Sequence, residues 1–161
     1  MGTTNNQSLL FKANNFQSGK IDLVSQNTFW GYRSGESVTS GYLNTAIGWQ
    51  ALRSNTSGVN NTASGQEALF SNTMGGNNTA TGQGALYFNL TGNSNTAQGV
   101  GALGSNSTGS NNTAMGMQAL FDNGGSFNSA VGKNSLTYNT TGNNNTADGV
   151  DALFSNKAGD N

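Results

Sequence analysis

The tripeptide Asn-Thr-Ala begins at Asn44, Asn61, Asn78, Asn95, Asn112 and Asn145, and Asn-Ser-Ala begins at Asn128. The intervals are 17, 17, 17, 17, 16 and 17 residues. One step back from Asn44 lies Asn27, which opens Asn27-Thr28-Phe29-Trp30-Gly31. The consensus is N-T-A-x-G-x-x-A-L-x-x-N-x-x-G-x-N, in eight registers over residues 27–161. A fixed period of this kind constrains a fold more than any composition does, because each repeat must meet its neighbours in the same way. The one-residue deletion is placed in the turn around Gly125-Ser126-Phe127.

Seventeen residues are too few for a helix pair or a leucine-rich unit. Helix is also disfavoured locally, because Gly, Asn and Thr are poor helix formers. One coil of a β-solenoid fits. At ~3.3 Å per residue, seventeen residues trace about 56 Å less the turns, room for two or three short strands. Coils stacked at ~4.8 Å would give a body about 38 Å long. The fold expected is therefore an all-β parallel β-solenoid with 17-residue coils.

In such a stack every fixed column becomes a row along the axis. Strand alternation sets Asn44, Ala46 and Gly48 on one face and Thr45 and Ile47 on the other. The Ile47 column reads Ser64, Thr81, Gln98, Met115, Val131 and Asp148, a variety that implies exposure. The inward rows are therefore Ala46, Ala63, Ala80, Ala97, Ala114, Ala130 and Ala147, with Leu52, Leu69, Leu86, Leu103, Leu120, Leu136 and Leu153 as the main core. Asn rows form side-chain amide ladders, and Gly rows serve corners or close backbone approach. Aromatic residues follow Leu at Phe70, Tyr87, Phe121 and Phe154, interrupted by Arg53, Gly104 and Thr137. A core this thin offsets little of the entropy of ordering a coil, so neighbouring chains are expected to contribute, most simply as a homotrimer. Residues 1–26 lack the motif and read as an N-terminal cap or joint, with short strands at Leu9-Leu10-Phe11 and Ile21-Asp22-Leu23-Val24.

Composition removes many functions. Asn, Gly, Ser and Thr make up more than half of the chain, while Pro, Cys and His are absent. That leaves no thiol, no disulfide and no imidazole base. Six basic and seven acidic residues give no electrostatic footprint for nucleic acid or an anionic membrane. Low hydrophobicity favours disorder, but disordered chains combine it with high charge and Pro, and here the polar residues are periodic. No run approaches the ~20 apolar residues of a membrane helix, and the first residues lack the features of a signal peptide.

The Asn-Thr-Ala-x-Gly-x-x-Ala-Leu array resembles fibre proteins of bacteriophages and related surface fibres, and it is similar to the head repeats of trimeric autotransporter adhesins, whose coils are usually shorter. The resemblance spans residues 27–161. It implies a left-handed parallel β-roll assembled as a trimer, extracellular, on a virion fibre or a bacterial cell surface. The segment is then expected to be a piece of a longer fibre.

Candidate sites are few. Trp30, Tyr32, Tyr42 and Trp49 concentrate near the start, either as a sugar-stacking platform for a cell-surface glycan or protein receptor or as a cluster closing the solenoid end. Asp148 and Asp151 are the only conceivable hydrolase pair, without a predicted cleft. Ser and Thr have no His to activate them. No metal or cofactor motif is present, and an enzyme is not expected. The Thr row at 28, 45, 62, 79, 96, 113 and 146, broken by Ser129, allows a second reading as a monomeric ice-binding solenoid.

Overall fold

The computed structural model describes residues 7–160. Residues 1–6 of the predicted cap lie outside them. The described chain forms ten strands in one sheet, whose spatial order is the chain order. Two of them, β1 (Leu9–Ala13) and β2 (Phe16–Asp22), form an antiparallel hairpin. Its turn uses Asn14 and Asn15 at φ 49° and 64°, the left-handed region that Asn tolerates better than most residues. The hairpin pairs antiparallel with β3 (Asn27–Trp30), the strand of the first coil, and so occupies that strand's outer edge.

From β3 onward every pairing is parallel and joins residues one repeat apart. The remaining strands are β4 (Thr45–Ile47), β5 (Thr62–Ser64), β6 (Thr79–Thr81), β7 (Thr96–Gln98), β8 (Thr113–Met115), β9 (Ser129–Val131) and β10 (Thr146–Asp148). Ala80 pairs with Ala97 and Ala97 with Ala114, so the row stacks one layer at a time. The chain is a parallel β-solenoid of about seven turns.

Each coil contains one strand, of four residues in the first coil and three in the others, not the two or three strands expected. The ladder nevertheless continues through the turns. In the second coil, Thr45 N–H donates to Asn61 O, Leu52 N–H to Ala68 O, Ser54 N–H to Phe70 O and Thr56 N–H to Thr73 O, at 2.9 to 3.0 Å. Left-handed residues interrupt the extended path. Gln50 and Leu52 have φ of 56° and 53°, and the same two columns repeat this in later coils. A left-handed non-Gly residue costs about 1–2 kcal/mol, an amount that burying a Leu side chain, about 2 kcal/mol, can offset.

The interior is closed by one chain. Ala46, Ala63, Ala80, Ala97, Ala114 and Ala130 are fully buried, as are Leu52, Leu69, Leu86, Leu103, Leu120 and Leu136. Neighbouring chains are thus not needed to cover these rows. Leu153, in the last described coil, is half exposed. A second Ala row, from Ala51 to Ala119, is buried beside the Leu row.

Two buried Asn columns satisfy their own polar groups. Along Asn55, Asn72, Asn89, Asn106, Asn123 and Asn139, each Nδ2 after the first donates to the Oδ1 one coil before, at 2.7 to 3.1 Å. In the other column Asn44 Oδ1 accepts from the backbone N–H of Asn61, and Asn61 Oδ1 from that of Asn78. Both columns donate to one Gly carbonyl: Gly58 O accepts from Asn44 Nδ2 at 2.9 Å and Asn55 Nδ2 at 3.0 Å. This convergence leaves no room for a side chain there. A Cβ on Gly75 would lie 2.5 Å from Gly92 O and closer still to Asn72 Oδ1. The other Gly column turns a corner; Gly65 has φ 137°, outside the range of ordinary side chains.

The one-residue deletion falls slightly earlier than expected. Asn106 reaches Gly109 O across three residues, whereas Asn123 reaches Gly125 O across two. The missing residue therefore lies between Asn123 and Gly125, where both hydrogen bonds survive the shortening.

Candidate functional site

The first coil departs from the consensus, and its departures compensate one another. Phe29 replaces the usual Ala, and Gly35 replaces the usual Leu. Phe29 is fully buried, and a Cβ on Gly35 would press into its ring. One large side chain thus enters from the strand where every later coil sends it from the Leu column.

The hairpin then engages two of the four aromatic candidates. Trp30 meets Phe11 edge-on, with ring centroids 5.0 Å apart. Tyr32 meets Phe16 at 5.4 Å, and the Arg33 guanidinium lies about 6 Å from both rings. Trp49, one coil along from Tyr32, and Tyr42, in the turn after Gly41, are both about half exposed. Among the described residues neither has a ring partner. None of the rings of Trp30, Tyr32, Tyr42 and Trp49 packs on another of the four among the described residues. Asp148 ends β10, and Asp151 accepts a hydrogen bond from Asn134 Nδ2.

Charged groups gather at the same end. Lys20 and Asp22 form an ion pair at 2.8 Å, and the Lys20 hydrogen bond holds the Asp22 carboxyl well below the usual carboxylate range. Glu36 takes Arg33 at 2.8 Å and Arg53 at 3.0 Å. Burial pushes the Glu36 carboxyl up, but the two arginines outweigh it and leave it low.

Glu36 also heads a row of interlocking side chains outside the Leu column. Arg53 of the next coil bonds Glu36 and lies 5.6 Å from the centroid of Phe70. Phe70 stacks on Tyr87 of the following coil, nearly parallel at 5.0 Å. The row then breaks at Gly104 and resumes at Phe121. The break opens a surface notch of about 260 Å³, walled by Tyr87, Phe88, Val100 and Phe121 and rimmed by Glu67 and Gln83. The sequence marks this place only as an interruption of an aromatic row by Gly104. That Gly84 and Gly101 line the same hollow depends on how the coil folds back beside the row.

No protein-family model, curated protein or solved structure matches this chain.

Proposed function

We propose that this chain is a non-catalytic structural segment of a trimeric extracellular fibre, of a phage tail or a bacterial surface, that acts as a rigid rod and presents its outer columns to a receptor. The observation that supports this best is axial continuity. Backbone ladders and one Asn column run coil to coil from β3 to β10, and a second Asn column runs from Asn55 to Asn139. Bending or opening such a body breaks many parallel bonds at once, which suits a load-transmitting and protease-resistant rod.

The trimer draws its support from the outside of the coil. Trp30, Ile47, Met115 and Val131 share one column and are 40% to 53% exposed. Trp49, Val100 and Met117 add exposed apolar area two positions further on. Ser64, Thr81, Gln98 and Asp148 interrupt the first of these columns, so its apolar area lies in two patches, Trp30 with Ile47 and Met115 with Val131, of the kind a partner ordinarily covers. Trp30, Tyr42 and Trp49 are the aromatic candidates exposed to a glycan or protein receptor, and of these only Trp30 also packs on the hairpin.

Light scattering tests the assembly: a trimer has three times the 16.5 kDa monomer mass. A monomer at micromolar concentration refutes the trimeric fibre. The ice-binding reading draws on the outward Thr row, but the next outward column is irregular, with Ile47, Gln98 and Met115 in it. Thermal hysteresis with a monomeric mass would favour that reading instead.

A further inference from the structure

The notch beside Gly104 is not something the coil requires. Gly101 stands in the column that holds Glu67 and Gln118, and Gly104 in the column that holds Tyr87 and Phe121. Gly101 has φ 66°, yet Glu67 and Gln118 hold φ 56° in the same column, so the backbone there accepts a side chain. A Cβ on Gly101 would lie 3.6 Å from its nearest neighbours, an ordinary contact. At Gly104 a Cβ would lie 2.7 Å from Phe121 Cε2, because the Phe121 ring is laid across it. Phe121 is thereby set as one wall. Tyr87 and Phe88 form a corner opposite, their rings 4.5 Å apart and inclined at 75°.

The polar groups around this hollow are few. Gly84, Gly101 and Gly104 commit their N–H groups to Gln66 O, Gln83 O and Gly101 O. Gln83 offers one amide. Glu67 offers a half-buried carboxylate that makes no salt bridge or side-chain hydrogen bond among the described residues. A polyhydroxylated ring would therefore leave most of its hydroxyls without protein partners, and an anion would be repelled. A cation that needs no hydrogen bond suits the site: three aromatic residues line it, Tyr87 with one face left free by Phe70, and the carboxylate supplies the counter-charge.

We propose that the notch walled by Tyr87, Phe88 and Phe121 binds a trimethylammonium group of the choline type, with Glu67 as its counter-ion. Every residue in the notch belongs to one chain, but its wall Val100 also lies in the outer column that the assembly reading covers with a partner, so the mass of the protein is measured beside its choline affinity.

The full chain is titrated with choline, with its uncharged isostere 3,3-dimethylbutanol and with methyl glucoside, followed by calorimetry and by shifts of the aromatic proton resonances. Choline is expected to bind about tenfold more tightly than the isostere, the discrimination that desolvated cation–π contact provides. Gly101→Gln places there the residue that the same column holds at Gln50 and Gln118, fills the hollow and abolishes binding, with the circular dichroism unchanged and the melting temperature lowered by only a few degrees. Glu67→Gln and Tyr87→Leu each weaken binding several-fold, and serve should Gly101→Gln fail to fold. Phosphatidylcholine vesicles separate the sources: capture of the protein assigns a lipid headgroup, and binding of free choline alone assigns a soluble amine. No choline binding, equal binding of choline and isostere, preference for the glucoside, or unchanged affinity in a folded Gly101→Gln each overturn the proposal.

Discussion

Asn89 is the place to test whether the amide columns hold the solenoid together. Its Nδ2 donates to Asn72 Oδ1 at 2.8 Å and to Gly92 O at 2.9 Å, and its Oδ1 accepts from Asn106 Nδ2 at 3.1 Å. Truncation by Asn89→Ala affects these partners unequally. Gly92 O keeps the Nδ2 of Asn78, and Asn106 Nδ2 keeps Gly109 O. Asn72 Oδ1 loses its donor and stays buried. An orphaned buried acceptor costs about 1–3 kcal/mol, and each further hydrogen bond lost costs about 1 kcal/mol. Some lost packing adds to this, because Asn89 is fully buried. The expected loss is about 4 kcal/mol, as much as truncating a core Leu.

Urea unfolding followed by far-ultraviolet circular dichroism measures it. With a slope of about 2 kcal/mol per molar, the midpoint falls by about 2 M. Two controls fix the interpretation. Thr96→Ala, on the exposed face of β7, is expected to cost under about 0.5 kcal/mol. Asn156→Ala, in the last coil, where the half-buried side chain donates to Asn145 Oδ1 and accepts from Gly159 N–H, both at a long 3.3 Å, is expected to cost about 1–2 kcal/mol, half of the Asn89 loss or less. An Asn89→Ala loss no larger than these would mean that the amide column is ornamental and the Ala and Leu rows alone hold the stack.

The two kinds of Gly should behave differently under the same unfolding assay. Gly75→Ala, with Gly92 O and Asn72 Oδ1 in the way, is expected to cost at least about 3 kcal/mol, whereas Gly84→Ala meets open space and should cost about 1 kcal/mol. In the first coil, Gly35→Leu and Phe29→Ala should each destabilise strongly, and the double variant, which recreates an ordinary coil, should recover about 2–3 kcal/mol over the sum of the two, measured as a double-mutant cycle. The carboxyls of Asp22 and Glu36 titrate lower in the folded chain than in the unfolded one. Their contribution is therefore complete above about pH 5, beyond the unfolded values, and is lost as pH falls through the lowered folded values. The hairpin and first coil should loosen in acid, seen as faster amide exchange in β2, while the amide columns, which have no titrating group, keep their protection. For the assembly, Ile47→Lys combined with Met115→Lys should convert a trimer to monomers without loss of the β signal; an unchanged mass would place the interface elsewhere.

The periodic part of this protein is legible because residues one repeat apart touch. Thr79 pairs with Thr96, and Asn72 bonds Asn89, so a column in the sequence is a contact in space. The Ala, Leu, Asn and Gly rows could all be read that way. What happens within a coil leaves a weaker trace. Leu is a poor residue for the left-handed region, and nothing in the spelling Ala-Leu announces that Leu86 sits at φ 52°. The extra strands were expected for this reason. The deletion was misplaced by a few residues because the repeat fixes its coil, and only the Asn123–Gly125 bond shows which link was shortened.

The amino-acid sequence by itself therefore determined the axis: period, stacking, parallel register and which rows face inward, since each follows from identical side chains meeting along the stack. The tertiary structure decided the cross-section. It turned the chain inward through left-handed residues, closed the Ala and Leu rows within a single chain, and set Phe121 across Gly104 to open the notch. Those outcomes depend on contacts between different columns around the coil. Such contacts are governed by backbone dihedrals and side-chain volume, and they carry no period.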